Sequence, residues 1–175
     1  LEKVGFQRVI LARELSLEEI AAIPDATTIE LETFIHGSLC VSYSGQCALS
    51  YAIGGRSGNR GQCAQPCRRA YTLVDRRGKT QIPQSHLLSL KDLNLTDYVR
   101  DLLEAGVCSF KIEGRLKDQA YVQNVVAHYR QRLDSILPDL DLRASSSGRV
   151  ALDFERCPDK TFIRVYNIYF PPRQR

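Results

Sequence analysis

Residues 107–136 read VCSFKIEGRLKDQAYVQNVVAHYRQRLDSI, a short apolar run followed by a long amphipathic one. The run from Val107 to Ile112 is compact and rich in β-formers. It is expected as a buried strand ending at Glu113-Gly114-Arg115. From Asp118 to about Ile136, the residues Tyr121, Val122, Val125, Val126, Tyr129 and Leu133 recur at helical spacing until Pro138 stops the helix. A strand feeding a helix is one β/α unit, and the alternation continues upstream. Residues 6–12 read as a strand. Ser16 and Glu19 form a capping box for a short helix, and residues 28–35 read as a second strand. Residues 87–90 are expected as a short strand, and Asn94 or Thr96 as the cap of a helix over 97–104 that ends at Gly106.

Such alternation implies a parallel sheet with crossover helices. The chain has 175 residues and no Met, fewer than the roughly 250 of a closed eightfold barrel. The fold class expected is therefore α/β: the C-terminal half of a (β/α) TIM-type barrel over residues 1–138, with the natural start outside this stretch. Residues 139–175, polar at 145–148 and strand-like beyond, are expected as a linker and the start of a small β-containing unit.

Between the second strand and residue 70 lies a long loop, residues 36–69, with glycines at 37, 45, 54, 55, 58 and 61. A loop of that length inside a compact domain needs a function or something to pin it. It holds Cys40, Cys47, Cys63 and Cys67 at C-x6-C-x15-C-x3-C spacing. Residues 48–52 allow one helical turn within it. Residues 70–82, AYTLVDRRGKTQI, read as a β-hairpin about Arg76-Arg77-Gly78. Six cysteines without an export signal favour a reducing, cytoplasmic setting, where clustered thiols bind metal more often than they form disulfides. Zinc ligands usually pair at spacings of two to four residues, which only Cys63 and Cys67 satisfy. Iron–sulfur spacings vary, so spacing alone leaves both centres open. Cys108, in an apolar strand, is read as a core thiol and a minor alternative ligand. Cys157 receives no role. A Cys40 nucleophile with His36 as its base would leave three further cysteines unexplained.

The net charge of +4 permits an anionic partner such as RNA without demanding one, and no apolar run is long enough to span a membrane. In a β/α barrel the site lies at the C-terminal strand ends. There the sequence places His36, Glu113 and Arg115 as candidate catalytic residues. Arg13, Glu32, Arg56, Arg60 and Arg68 are candidate substrate-binding residues, and Arg69 joins the basic cluster. The plain alternatives are an Arg13–Glu14 pair, a loop histidine, a Lys111–Glu113 ion pair, and structural or exposed His86 and His128.

The segments ELETFIHGSLCVSYSGQCALS, GGRSGNRGQCAQPCRRAYTL, HLLSLKDL and AGVCSFKIEGRLKDQAYVQNVVAHYRQ resemble peptidase family U32, the collagenase-like proteases, in its ribosomal-RNA-hydroxylating branch. The resemblance runs over nearly the whole chain. It implies an iron–sulfur-dependent, oxygen-independent RNA hydroxylase making 5-hydroxycytidine in 23S ribosomal RNA, with prephenate as a small-molecule oxygen donor. It further implies a [4Fe-4S] cluster on Cys40, Cys47, Cys63 and Cys67. Asn94 stands where some relatives supply a cluster cysteine, which favours Cys67 as the fourth ligand. Ile163, Arg164 and Val165 depart from the family pattern in the tail. The alternatives are a collagenase-like peptidase, a ubiquinone-pathway hydroxylase and a zinc-stabilised RNA-binding module. No Ser-His-Asp grouping or HExxH motif supports the peptidase.

Overall fold

The computed structural model of the chain describes residues 1–146, 148, 151 and 154–158, with the backbone of Tyr166–Asn167. Most of the strand-like tail expected beyond residue 148, including Ile163, Arg164 and Val165, lies outside the described residues. In chain order the elements are β1 (Arg8–Ile10), α1 (Leu17–Ala21), β2 (Glu30–Ser38), α2 (Leu49–Gly54), β3 (Tyr71–Val74), β4 (Thr80–Ser85), β5 (Asp92–Asn94), α3 (Val99–Glu104), β6 (Val107–Ile112), α4 (Gln119–Ile136) and β7 (Tyr166–Asn167). The chain divides into two compact units, Leu1–Ser38 with Lys91–Arg175, and Leu39–Leu90.

The first unit is organised by β2. Parallel to it run β1 along 30–32 and β6 along 31–36, while β5 pairs antiparallel with its last three residues. His36 pairs with both Ile112 of β6 and Asn94 of β5, so those strands occupy opposite edges and β5 continues the edge that β1 begins. The sheet is thus mixed rather than all-parallel, and the described strands form no closed barrel. One face carries the helices: α3 packs on α1, β6 and α4, around Leu31, Ile35, Val99, Leu102, Val107 and Val125, each no more than 2% exposed. The Ser16 capping box starts α1 as expected, and Asp118 starts α4 by accepting the Tyr121 N–H at 2.7 Å. Gly106 follows α3, its amide bonded to the Leu103 carbonyl.

Three expectations need correction. Residues 87–88 lie in a turn and 89–90 have no regular structure; the strand falls at Asp92–Asn94, where the chain meets β2. The first strand is only Arg8–Ile10, because that is the stretch in register with β2; Phe6 is exposed. Along α4 the buried stripe is Tyr121, Val125 and Tyr129, whereas Val122 and Val126 are exposed.

In the second unit α2 is followed by single 3-10 turns at Gly58–Arg60 and Pro66–Arg68, then by the antiparallel β3–β4 hairpin. The hairpin turns about Arg76-Arg77-Gly78, as its sequence indicates. Among the described residues no helix is long and apolar enough to cross a membrane.

Candidate functional site

All four loop cysteines belong to the Leu39–Leu90 unit, whereas Cys108 and Cys157 belong to the other. The loop is pinned by hydrogen bonds rather than by a large core. Buried Ser50 of α2 accepts the Ala64 N–H at 2.8 Å, just past Cys63. Asn59 donates to the Gly45 carbonyl at 2.8 Å, two residues before Cys47. Arg56 donates to the Gln62 carbonyl at 2.9 Å, and the Tyr71 hydroxyl to the Pro66 carbonyl at 2.8 Å. Gln65, held at φ 55, aims its N–H at Cys63 Sγ, 3.3 Å away. An N–H···S bond of this kind stabilises a thiolate and tunes a metal bound to it.

Cys40 is exposed; Cys47, Cys63 and Cys67 are half-buried. Burial pushes the Cys67 thiol up, the adjacent Arg68 pulls it down, and Cys40, Cys63 and Cys47 raise it again through their charge. Cys67 thus feels the other three thiols of the unit. Among the described residues no three His, Cys, Asp or Glu side chains stand in metal-holding geometry. The donor set suits a soft centre. The unit's one carboxylate, Asp75, is committed to the hairpin turn, and His86 Nδ1 donates to the Arg68 carbonyl at 3.1 Å.

Arg68 is turned inward. Its guanidinium donates to the Leu39 carbonyl, to Ser89 Oγ at 3.0 Å and to the Leu90 carbonyl at 3.2 Å, tying both ends of the unit together beside Cys67. Arg56, Arg60 and Arg69 are exposed.

In the sheet unit, His36 lies within β2 rather than after it. Phe34 pairs with Lys111 and His36 with Ile112, so Ile35 is an extra residue, a β-bulge. The bulge turns His36 onto the helix-bearing face, against Tyr121 and Tyr129, where it is 1% exposed. Tyr129 donates to the Ile35 carbonyl at 2.9 Å, which leaves its oxygen to accept from His36 Nδ1 at 3.1 Å. Thr96 donates to Asn94 Oδ1 at 2.6 Å and accepts from His128 Nε2 at 3.0 Å. Burial, helped by the charges of His128 and Lys117 and opposed by Asp92, lowers the His36 pKa to about 4. Burial likewise pushes the Tyr129 hydroxyl up to about 12.

Glu113 follows β6, and its N–H bonds the His36 carbonyl at 2.8 Å. Its carboxylate accepts the Arg115 N–H at 2.8 Å. The two neighbours thus meet at the strand end, with the Arg115 side chain exposed. Arg13 pairs with Glu14 at 3.7 Å. Glu32, on the sheet face away from the helices, takes Ser109 Oγ at 2.8 Å, Arg8 at 3.6 Å and Lys111 at 3.9 Å. Glu32, not Glu113, is thus the ion-pair partner of Lys111. Cys108 is a second bulge: Leu31 pairs with Val107 and Glu32 with Ser109. It is exposed, not a core thiol. Sequence reasoning missed the buried Asp92–Lys117 ion pair, 3.4 Å apart, whose Lys117 ammonium stands over the Tyr121 ring, 4.6 Å from its centre. Both lie in segments that carry the family resemblance, HLLSLKDL and the run from Ala105, yet spacing gives neither a role and burial alone singles them out.

Known proteins are similar to this chain in sequence. It is 52% identical, over 97% of its length, to a 23S rRNA 5-hydroxycytidine synthase of Escherichia coli K12, covering 26% of that protein. It is 40% identical to a tRNA hydroxylation protein of Bacillus subtilis 168 over 77% of this chain and 33% of the relative. To a collagenase of Porphyromonas gingivalis W83 it is 36% identical over 73% of this chain and 34% of the relative. The chain thus spans about a quarter to a third of the relatives it matches. No solved structure gives a significant match. The family model of peptidase family U32 matches residues 1–173, and the chain belongs to that family.

Proposed function

We propose that this chain is the thiolate-bearing part of an RNA-hydroxylating enzyme, acting on cytidine C5 in 23S ribosomal RNA and carrying a [4Fe-4S] cluster on Cys40, Cys47, Cys63 and Cys67. The observation that carries the reading is the gathering of four thiols, and no available carboxylate, in one compact unit of a chain 52% identical to a ribosomal RNA hydroxylase. Hydroxylation replaces a C–H bond by C–OH, a two-electron oxidation of the base, so the oxygen donor must take up the same two electrons. A small hydroxylated carboxylate such as prephenate would meet that need without molecular oxygen. Bound to the thiolates, the cluster would supply electron transfer or Lewis-acid chemistry.

The chain's own residues have separable tasks in this reading. Arg56 and Arg60, both exposed, would meet phosphates or the donor's carboxylates. Arg13 would serve the same charge, and Glu32 a donor group of the substrate. Glu113 and Arg115, locked to each other at the end of β6, would orient the base. His36, buried and neutral, would position Tyr129 and the strand end rather than take a proton. Arg68 would hold the Cys67 turn. The sheet would be one arc of a β/α barrel, with the face bearing Arg8, Glu32 and Lys111 turned inward.

Replacing Cys63 with Ala in the full-length protein should abolish both iron loading and 5-hydroxycytidine in ribosomal RNA, read by metal analysis and mass spectrometry. Full modification by that variant would overturn the reading. Bound zinc with no iron in anaerobically purified protein would favour the zinc-stabilised RNA-binding module. Two Porphyromonas gingivalis relatives named collagenase keep peptide hydrolysis as a second reading, which requires cleavage of collagen by protein free of iron.

A further inference from the structure

The positive charge of this chain is unevenly placed. The Leu39–Leu90 unit holds seven Lys and Arg against one Asp, a net +6, while the rest holds seventeen against nineteen, a net −2. Three of the seven, Arg76, Arg77 and Lys79, sit on four consecutive positions at the tip of the β3–β4 hairpin, and all are exposed. The tip is built to hold them out. Asp75 accepts the Arg77 N–H at 2.8 Å, the Lys79 N–H at 3.0 Å and Gln81 Nε2 at 3.0 Å, so its carboxylate is engaged by the turn. Gly78, at φ 77, closes the turn by donating to the Asp75 carbonyl at 3.0 Å, and the Asp75 N–H reaches the Lys79 carbonyl at 2.9 Å. Among the described residues no ion pair involves Arg76, Arg77 or Lys79. Both strands below them are exposed along nearly their whole length.

We propose that the β3–β4 hairpin is an RNA-contacting arm, its tip cations seated on the phosphate backbone of the substrate. The inference rests on the RNA reading above and adds where the nucleic acid is gripped. Phosphate is favoured as the ligand because three cations on a rigid turn, in a unit with a single carboxylate, match a polyanion. Contacts of this kind position RNA without reading its sequence. Each should contribute about one to the slope of log affinity against log salt.

The test uses the full-length protein and a 23S ribosomal RNA transcript, with binding followed over a salt series. Replacing Arg76, Arg77 and Lys79 together by Gln should weaken binding by about tenfold or more near 0.1 M salt. It should also lower the salt slope by about two to three, with iron content and circular dichroism unchanged. Arg76→Lys with Arg77→Lys keeps the charge and should keep both. If the triple variant loses its fold, the single Arg77→Glu exchange decides, weaker binding supporting the arm and unchanged binding overturning it. Unchanged affinity and slope in a folded triple variant overturns the arm while leaving the RNA reading intact. A wild-type protein that neither binds nor modifies the transcript overturns both. Hairpin-dependent binding to anionic phospholipid vesicles, with none to RNA, also overturns the arm.

Discussion

Burial decides what His36 can do. Its folded pKa of about 4 lies below the ordinary value of 6.5, so protons bind the unfolded chain first as pH falls. The stability conferred by the neutral ring is complete above about pH 6.5 and is lost progressively towards pH 4. By linkage the loss is about 3 kcal/mol. Thermal unfolding across that window should show a steeper decline for wild type than for His36→Gln; parallel curves would contradict a buried neutral ring. Gly37, its neighbour, sits at φ 106, and a Cβ there would lie 2.4 Å from the Glu113 carbonyl oxygen. Gly37→Ala should therefore cost about 2 kcal/mol or more, read as a fall in unfolding midpoint. The residue types at the strand ends were legible in the sequence, but their directions were not. A bulge at Ile35 or Cys108 leaves no mark on an alternation pattern, because it is set by pairing between strands some 75 residues apart.

At the scale of elements, legibility followed locality. The helix α4 and the capping box of α1 are written in residues a few positions apart, and both formed where expected. The strand β5 exists only because β2 offers it an edge, so a short apolar run at 87–90 was the more persuasive signal and the wrong one. Arg68 belongs to the same class of surprise. A basic residue next to a cysteine reads as a phosphate ligand, yet its three acceptors lie 21 to 29 residues away in sequence. Arg68→Lys cannot span them with a planar fork. It should lower iron loading per chain while leaving RNA affinity within about twofold; loss of RNA binding with full iron loading would instead make it a phosphate contact. In the core of the sheet unit, Leu102, 0% exposed on α3, should cost about 2–5 kcal/mol on replacement by Ala, measured by denaturant unfolding.

Over the whole molecule, the two units owe their stability to different things. The sheet unit has a continuous apolar core, whereas the cysteine unit leans on hydrogen bonds and exposes Tyr43, Tyr51, Ile53, Leu73 and Val74. If the four thiolates hold a cluster, metal should count for far more in the second unit. Chelation should open cleavage sites for a protease within residues 39–90 before it affects the sheet unit, as peptide mapping would show. Uniform digestion would mean that the centre, if present, is not what organises the loop.

The chain leaves the sheet at Ser38 and returns at Asp92, and these two residues are partners in the β2–β5 ladder. Three backbone pairs must therefore close a loop of 53 residues, 39–91. Closing it costs about 2 kcal/mol more than closing a four-residue turn, at roughly 0.6 kcal/mol for each doubling of length. Arg68, by bonding Leu39 to Ser89 and Leu90, brings the ends together from inside the loop and shortens the chain that remains to be closed. Whatever orders the cysteine unit thereby lightens an entropic burden on β5, and with it on Asn94, Thr96 and the hydroxyl of Tyr129.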